Sequence, residues 1–75
     1  MERGPIMRVL TEMKGTSKEL DLVLQGQAKA MEIRNVVIAE ELHSANGIRI
    51  TTRQNEIWLD ASHVSAMWQA REDGS

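Results

Sequence analysis

Apolar residues recur at every second position over two stretches of this chain, and at every third or fourth over another. Leu20, Leu22 and Leu24 have the period of a strand with one buried face. Gly26-Gln27 follows as a two-residue turn with Gly first, the type II′ pattern. That turn predicts Leu20 opposite Ile33, Leu22 opposite Met31 and Leu24 opposite Lys29. A helix here would carry Gly26 in its interior at a cost of about 1 kcal/mol, so a hairpin is favoured.

A second hairpin is centred on Gln54-Asn55. It sets Ile50 opposite Leu59, Thr52 opposite Ile57 and Ile48 opposite Ala61 on one face. On the other face Arg53 meets Glu56, Arg49 meets Asp60, and Thr51 lies beside Trp58. A slip of one residue would destroy both sets.

Ile6, Leu10 and Met13 have helical spacing, Pro5 suits the first helical position and Gly15 a stop, which predicts a helix over 5–14. Met7, Val9, Thr11 and Met13 also alternate, so a first strand is the alternative. Residues 35–45 are open. Val36, Val37 and Ile38 suit a strand, and Ala39 to Leu42 a helix. Continuity of a two-hairpin sheet favours the strand, with Asn46-Gly47 as a type I′ turn setting Ile48 and Ile50 against Ala45 and His43. Residues 61–70 are open too. Val64, Met67, Trp68 and Arg71 fit a helix capped by Asp60 or Ser62, while a one-turn corner at 61–63 would lead into a strand from Val64 to Trp68.

The fold expected is mainly β with a short N-terminal helix, a small antiparallel barrel or sheet. The alternative is α+β, two hairpins with helices at 28–45 and 61–72. The 75 residues allow one domain, with 1–4 and 71–75 as flexible ends.

Composition adds a constraint. A chain this short has a marginal core, and small domains usually supplement it with disulfides, a metal or oligomerisation. There is no Cys, no Phe and no Tyr, and Trp58 and Trp68 are the only aromatic residues. Self-association is the supplement left, so the expected partner is a second copy. Nine basic against eleven acidic residues give a net charge of −2, which argues against a general pull on nucleic acid. No apolar run has the length of a membrane span or a signal peptide, and the absence of Cys fits the cytosol; the expectation is a cytoplasmic protein with no membrane partner.

The order helix, hairpin, long middle element, hairpin, corner and final strand is similar to the Sm-like branch of the SH3-like small barrels. The segment that carries the likeness is Ile57-Trp58-Leu59-Asp60-Ala61-Ser62-His63-Val64-Ser65-Ala66-Met67. It looks like that family's penultimate strand, corner and closing strand, which pair between neighbouring subunits and close a ring of six or seven. The resemblance implies ring assembly and RNA as a second partner. The family's aromatic-Asp motif has no match in 33–45, and its basic-Gly pair reads Asp60-Ala61, so base recognition does not carry over.

Candidate chemistry is sparse. Glu40-x-x-His43 and Asp60-x-x-His63 would stack carboxylate and imidazole only on helices, and they lack the further glutamates of carboxylate-bridged sites; surface histidines are the simpler reading and no metal is assigned. The glycines at 4, 15, 26, 47 and 74 form no phosphate-cradling loop, so no cofactor is expected. A pocket of about 300 Å³ would have to be built between subunits. No enzyme activity is expected; the rival is a small enzyme or ligand binder with such a shared pocket. Arg49, Arg53 and His63, with Lys29 and Arg34, are the nucleic-acid candidates, weighed against a charge-paired surface. A helix-turn-helix over Val37–Asn55 fails, because residues 47–53 alternate and are β-branched. Val64, Met67, Trp68 and Trp58 are the candidate oligomer contacts, with plain core packing as the alternative. The function expected is a non-catalytic binding or scaffolding module acting as a homo-oligomer.

Overall fold

A computed structural model describes residues 1–70, and the predicted tail at 71–75 lies outside the described residues. Helix α1 spans Arg3–Met13, and six strands follow: β1 Glu19–Leu24, β2 Met31–Arg34, β3 Val36–Glu41, β4 Gly47–Thr52, β5 Glu56–Asp60 and β6 Val64–Gln69. A 3-10 turn, Ala61–His63, joins β5 to β6. The strands form two antiparallel sheets, ordered β2-β1-β6 and β3-β4-β5, and do not close into a barrel. The helices offered as alternatives at 28–45 and 61–72 do not form.

In α1 the spacing of Ile6, Leu10 and Met13 stacks three side chains on one stripe, and all three are fully buried. Full burial of each contributes roughly 1.5–3 kcal/mol before entropy is counted. The helix begins two residues and ends one residue earlier than predicted, and Gly15 follows its end with a positive φ of 77° that costs a residue without Cβ nothing. The helix lies against β3 and also touches β4 and the 3-10 turn. The first residues, expected to be loose, are tied down. Arg3 Nη1 donates to the carbonyls of Leu42, Ser44 and Gly47 at 3.2, 2.6 and 3.3 Å, and its Nε lies 3.4 Å from Glu41.

The first hairpin keeps its predicted register where it matters: Leu20 faces Ile33 and Leu22 faces Met31. Its connection is different. The Gln27 amide donates to the Leu24 carbonyl, and Gly26, at φ 80°, takes the third position of that turn instead of leading it. Residues 25–30 stay outside the ladder, Leu24 does not meet Lys29, and Leu24 pairs with Val64 on β6.

The second hairpin forms two residues out of the predicted register. Ile50 faces Ile57 and Ile48 faces Leu59, so Ile50 is not opposite Leu59. Thr52 is the cause. Its Oγ1 accepts from the amides of Gln54 and Asn55, and its own amide donates to the Asn55 carbonyl. This closes a four-residue connection over 52–55 in place of a two-residue turn. Neither Gln54 nor Asn55 takes the positive φ that tight hairpin turns demand. A shift of two leaves every side chain on its face, so Ile48, Ile50 and Leu59 are still buried. The outer-face pairs do change: Arg49 meets Trp58 and Thr51 meets Glu56.

The middle segment is a strand, as continuity of the sheets requires, but a broken one. Asn35 has a φ of 57°, a left-handed conformation that Asn tolerates better than most residues. There the chain leaves the first sheet as β2 and enters the second as β3. A bulge between Val36 and Ile38 follows. Ala39 faces Ile50 and Glu41 faces Ile48, so the loop to β4 covers 42–46 and the Asn46-Gly47 turn does not form. Among the described residues, no helix is long and apolar enough to cross a membrane.

Candidate functional site

Each sheet leaves one strand of the corner with an open edge. Among the described residues, β5 pairs with β4 alone and β6 with β1 alone. Apart from the Val64 carbonyl, which accepts from the Met1 amine at 3.2 Å, no strand among the described residues pairs with the outer side of either. Asp60 turns the chain between them: its Oδ1 accepts from the amide and hydroxyl of Ser62 at 2.9 and 2.6 Å. Those two bonds hold the Asp60 carboxyl below its ordinary pKa.

The four residues expected at an interface divide. Val64 is in the core, and Met67, half-buried, packs against it. Trp58 and Trp68 remain 62% and 48% exposed, so neither is a core residue. Strand alternation explains this. Ile57 and Leu59 turn inward on β5 and send Trp58 out, and Trp68 lies opposite Asp21 on the face away from Leu20 and Leu22.

The nucleic-acid candidates are not brought together. Arg49 donates to Glu56 through Nε and Nη2 at 3.1 and 2.5 Å, lies 3.8 Å from Glu40 and sits 5.9 Å from the Trp58 ring centre. Its guanidinium is held more firmly protonated by Glu56 first and Glu40 after it. Arg53 falls outside β4, in the 52–55 turn, and does not pair with Glu56. It lines a shallow groove of about 470 Å³ with Lys14, Thr16, Ser17 and Asn35. His63 borders a different cleft, with Met31, Trp58 and Asp60. His43 follows β3 in a loop and Glu40 is on the strand, so the helical stacking that motif requires is absent. Arg34 pairs with Glu19.

Comparison with family models, with curated proteins and with solved structures gives no significant match.

One group of residues escaped the sequence reading. Glu19 and Asp21 leave β1 on the face opposite Leu20 and Leu22, and Glu32 stands directly opposite Asp21 on β2. One carboxylate oxygen from each lies within 4.8 Å of the other two. The Glu19 carboxyl is raised to about 7, by a hydrogen bond shared with Asp21 first, then by burial and by Glu32; Arg34 opposes the shift. The signal was in the predicted register, since Leu20 opposite Ile33 forces Asp21 opposite Glu32.

Proposed function

We propose that this protein is a non-catalytic binding or scaffolding module that assembles from identical copies through the open edges of β5 and β6. The observation that carries the reading is that, of the four edge strands, the two flanking the corner, β5 and β6, each carry an exposed Trp side chain. An edge that carries a large apolar side chain invites strand addition, and the strand most available to fill it is the other edge of a second copy. Such a contact is head-to-tail, so it produces a ring when the rotation closes and a filament when it does not. This is the arrangement that the likeness to Sm-like barrels implies.

RNA binding is the weaker reading, because Arg49 is already engaged by Glu56, Glu40 and the Trp58 ring. The experiment is the double change Trp58→Ser with Trp68→Ser, followed by light scattering and circular dichroism. The module reading expects the assembly to fall to the single-chain mass of 8.4 kDa with the β signal intact. An assembly that survives both substitutions would refute edge-to-edge contact. A salt-dependent shift of labelled RNA by the unaltered chain would move the assignment to an RNA-binding ring.

A further inference from the structure

We infer that Glu19, Asp21 and Glu32 form a binding site for a hard divalent cation of the Ca²⁺ class on the outer face of the β2-β1-β6 sheet. Three observations carry this beyond a cluster of acidic residues. First, the oxygens are close: one from each carboxylate lies within 4.8 Å of the other two, which is the greatest separation two ligands of one ion can have at a Ca²⁺–oxygen distance of about 2.4 Å. Secondly, Asp21 is only 8% exposed, and its Oδ1 is shut away from solvent with no hydrogen-bond partner. An ionised oxygen in that position is costly to bury unless a cation or a donor meets it. Thirdly, the charge fits. With Glu19 ionised, as an ion in the site would require, three carboxylates and the neighbouring Arg34 sum to −2, which one divalent ion neutralises.

Arg34 does not complete the site by itself. It stands opposite Glu19 and pairs with Glu19 Oε1, leaving Asp21 and Glu32 without a cation of their own among the described residues. The donors are all oxygens, with no Cys in the chain and neither His in the cluster, which selects Ca²⁺, Mg²⁺ or Mn²⁺ over zinc or copper. Glu32 is exposed and gives the ion its way in from solvent, with water filling the remaining positions. Among the hard ions, Ca²⁺ suits three carboxylates of free denticity better than Mg²⁺, which demands a stricter octahedron. The site is complete within one copy, so it stands or falls separately from assembly through β5 and β6.

Trp68 makes the test specific, because it lies opposite Asp21 on β6 and can pass excitation to a bound lanthanide. The full chain is titrated with Tb³⁺ as the probe, with Trp excitation, and then with Ca²⁺ and Mg²⁺ by calorimetry. The expected result is Tb³⁺ emission that saturates at about one ion per chain, is displaced by Ca²⁺, and reports a Ca²⁺ Kd of roughly 10⁻⁵–10⁻³ M. Trp68→Phe removes the emission and keeps the Ca²⁺ heat, while Trp58→Phe changes neither. Asp21→Asn abolishes both signals. Glu32→Gln, at an exposed position that keeps the fold, weakens Ca²⁺ by about tenfold or more through loss of one charged ligand. Emission that persists in Asp21→Asn, an unchanged Ca²⁺ affinity in Glu32→Gln, or a chain that takes up neither Ca²⁺ nor Mg²⁺ at millimolar concentration, overturns the proposal. The second outcome would leave a shared proton as the group that joins the carboxyls.

Discussion

The outer faces of the two sheets carry charge in opposite ways. On β3-β4-β5, Arg49 stands between Glu40 and Glu56 and over the Trp58 ring, so each charge has a partner and the face is solvated. On β2-β1-β6, three carboxylates share one Arg34, and an Asp21 oxygen is buried without a donor. The inner faces are alike, with Leu20 and Leu22 in one sheet and Ile48 and Ile50 in the other, all buried. The contrast separates charge that decorates a surface from charge that awaits a ligand.

The largest effects should be common to both sheets. Leu22→Ala and Ile50→Ala each remove a fully buried side chain and should cost about 2–5 kcal/mol in urea unfolding, close to the whole stability of so small a chain. A marked inequality would mean that one sheet folds without the other. Next comes Arg3→Ala, which deprives three carbonyls of one donor and should cost on the order of 1–3 kcal/mol. Gly47→Ala attacks the same loop, because a Cβ there would run into Ser44 Oγ and sit 3.1 Å from Leu42 Cβ.

The same chemical change on the two outer faces should then act with opposite sign. Asp21→Asn supplies an amide donor to Glu19 and Glu32 and should raise the unfolding free energy by on the order of 1 kcal/mol, and the urea midpoint with it, when divalent ions are chelated. Glu56→Gln loosens Arg49 and should lower the midpoint slightly, an effect that high salt erases. Equal signs would remove the distinction between the faces.

Acidity gives a finer version. The Glu19 carboxyl, among Asp21, Glu32 and Arg34, titrates at about 7 in the folded chain against an ordinary 4.5. A raised folded value means that its contribution is complete below about pH 4.5 and is lost as pH rises through 7. The chelated protein should therefore weaken over that window, and Glu19→Gln should flatten the slope. Asp60 has the reverse sign: lowered by Ser62, its contribution is present above the ordinary value of 3.8 and is lost as pH falls further. Asp60→Asn should remove that acid-side loss.

Much of this architecture can be read from local patterns. The α1 stripe and the Leu20–Ile33 and Leu22–Met31 pairs each follow from spacing and propensity over a few residues, while the corner into β6 is one of two readings that the local pattern at 61–70 allows. The register of β4 and β5 escaped because the Thr52 hydroxyl competes for the turn amides, and periodicity is blind to that competition. The break at Asn35 escaped for a related reason, since a left-handed residue changes sheet without altering the apolar pattern. The pairing of β1 with β6 spans most of the chain, so no local signal shows that β5 and β6 are left with open edges. The acidic group follows from the same register, Asp21 opposite Glu32, but alternation alone does not show that the Asp21 side chain is buried.

Assembly is the claim on which the functional reading rests, and sedimentation equilibrium of the unaltered chain over a wide concentration range tests it most directly. The account predicts a defined multiple of 8.4 kDa, held at low micromolar concentration. A folded species that keeps the mass of one chain at the highest concentration would contradict it.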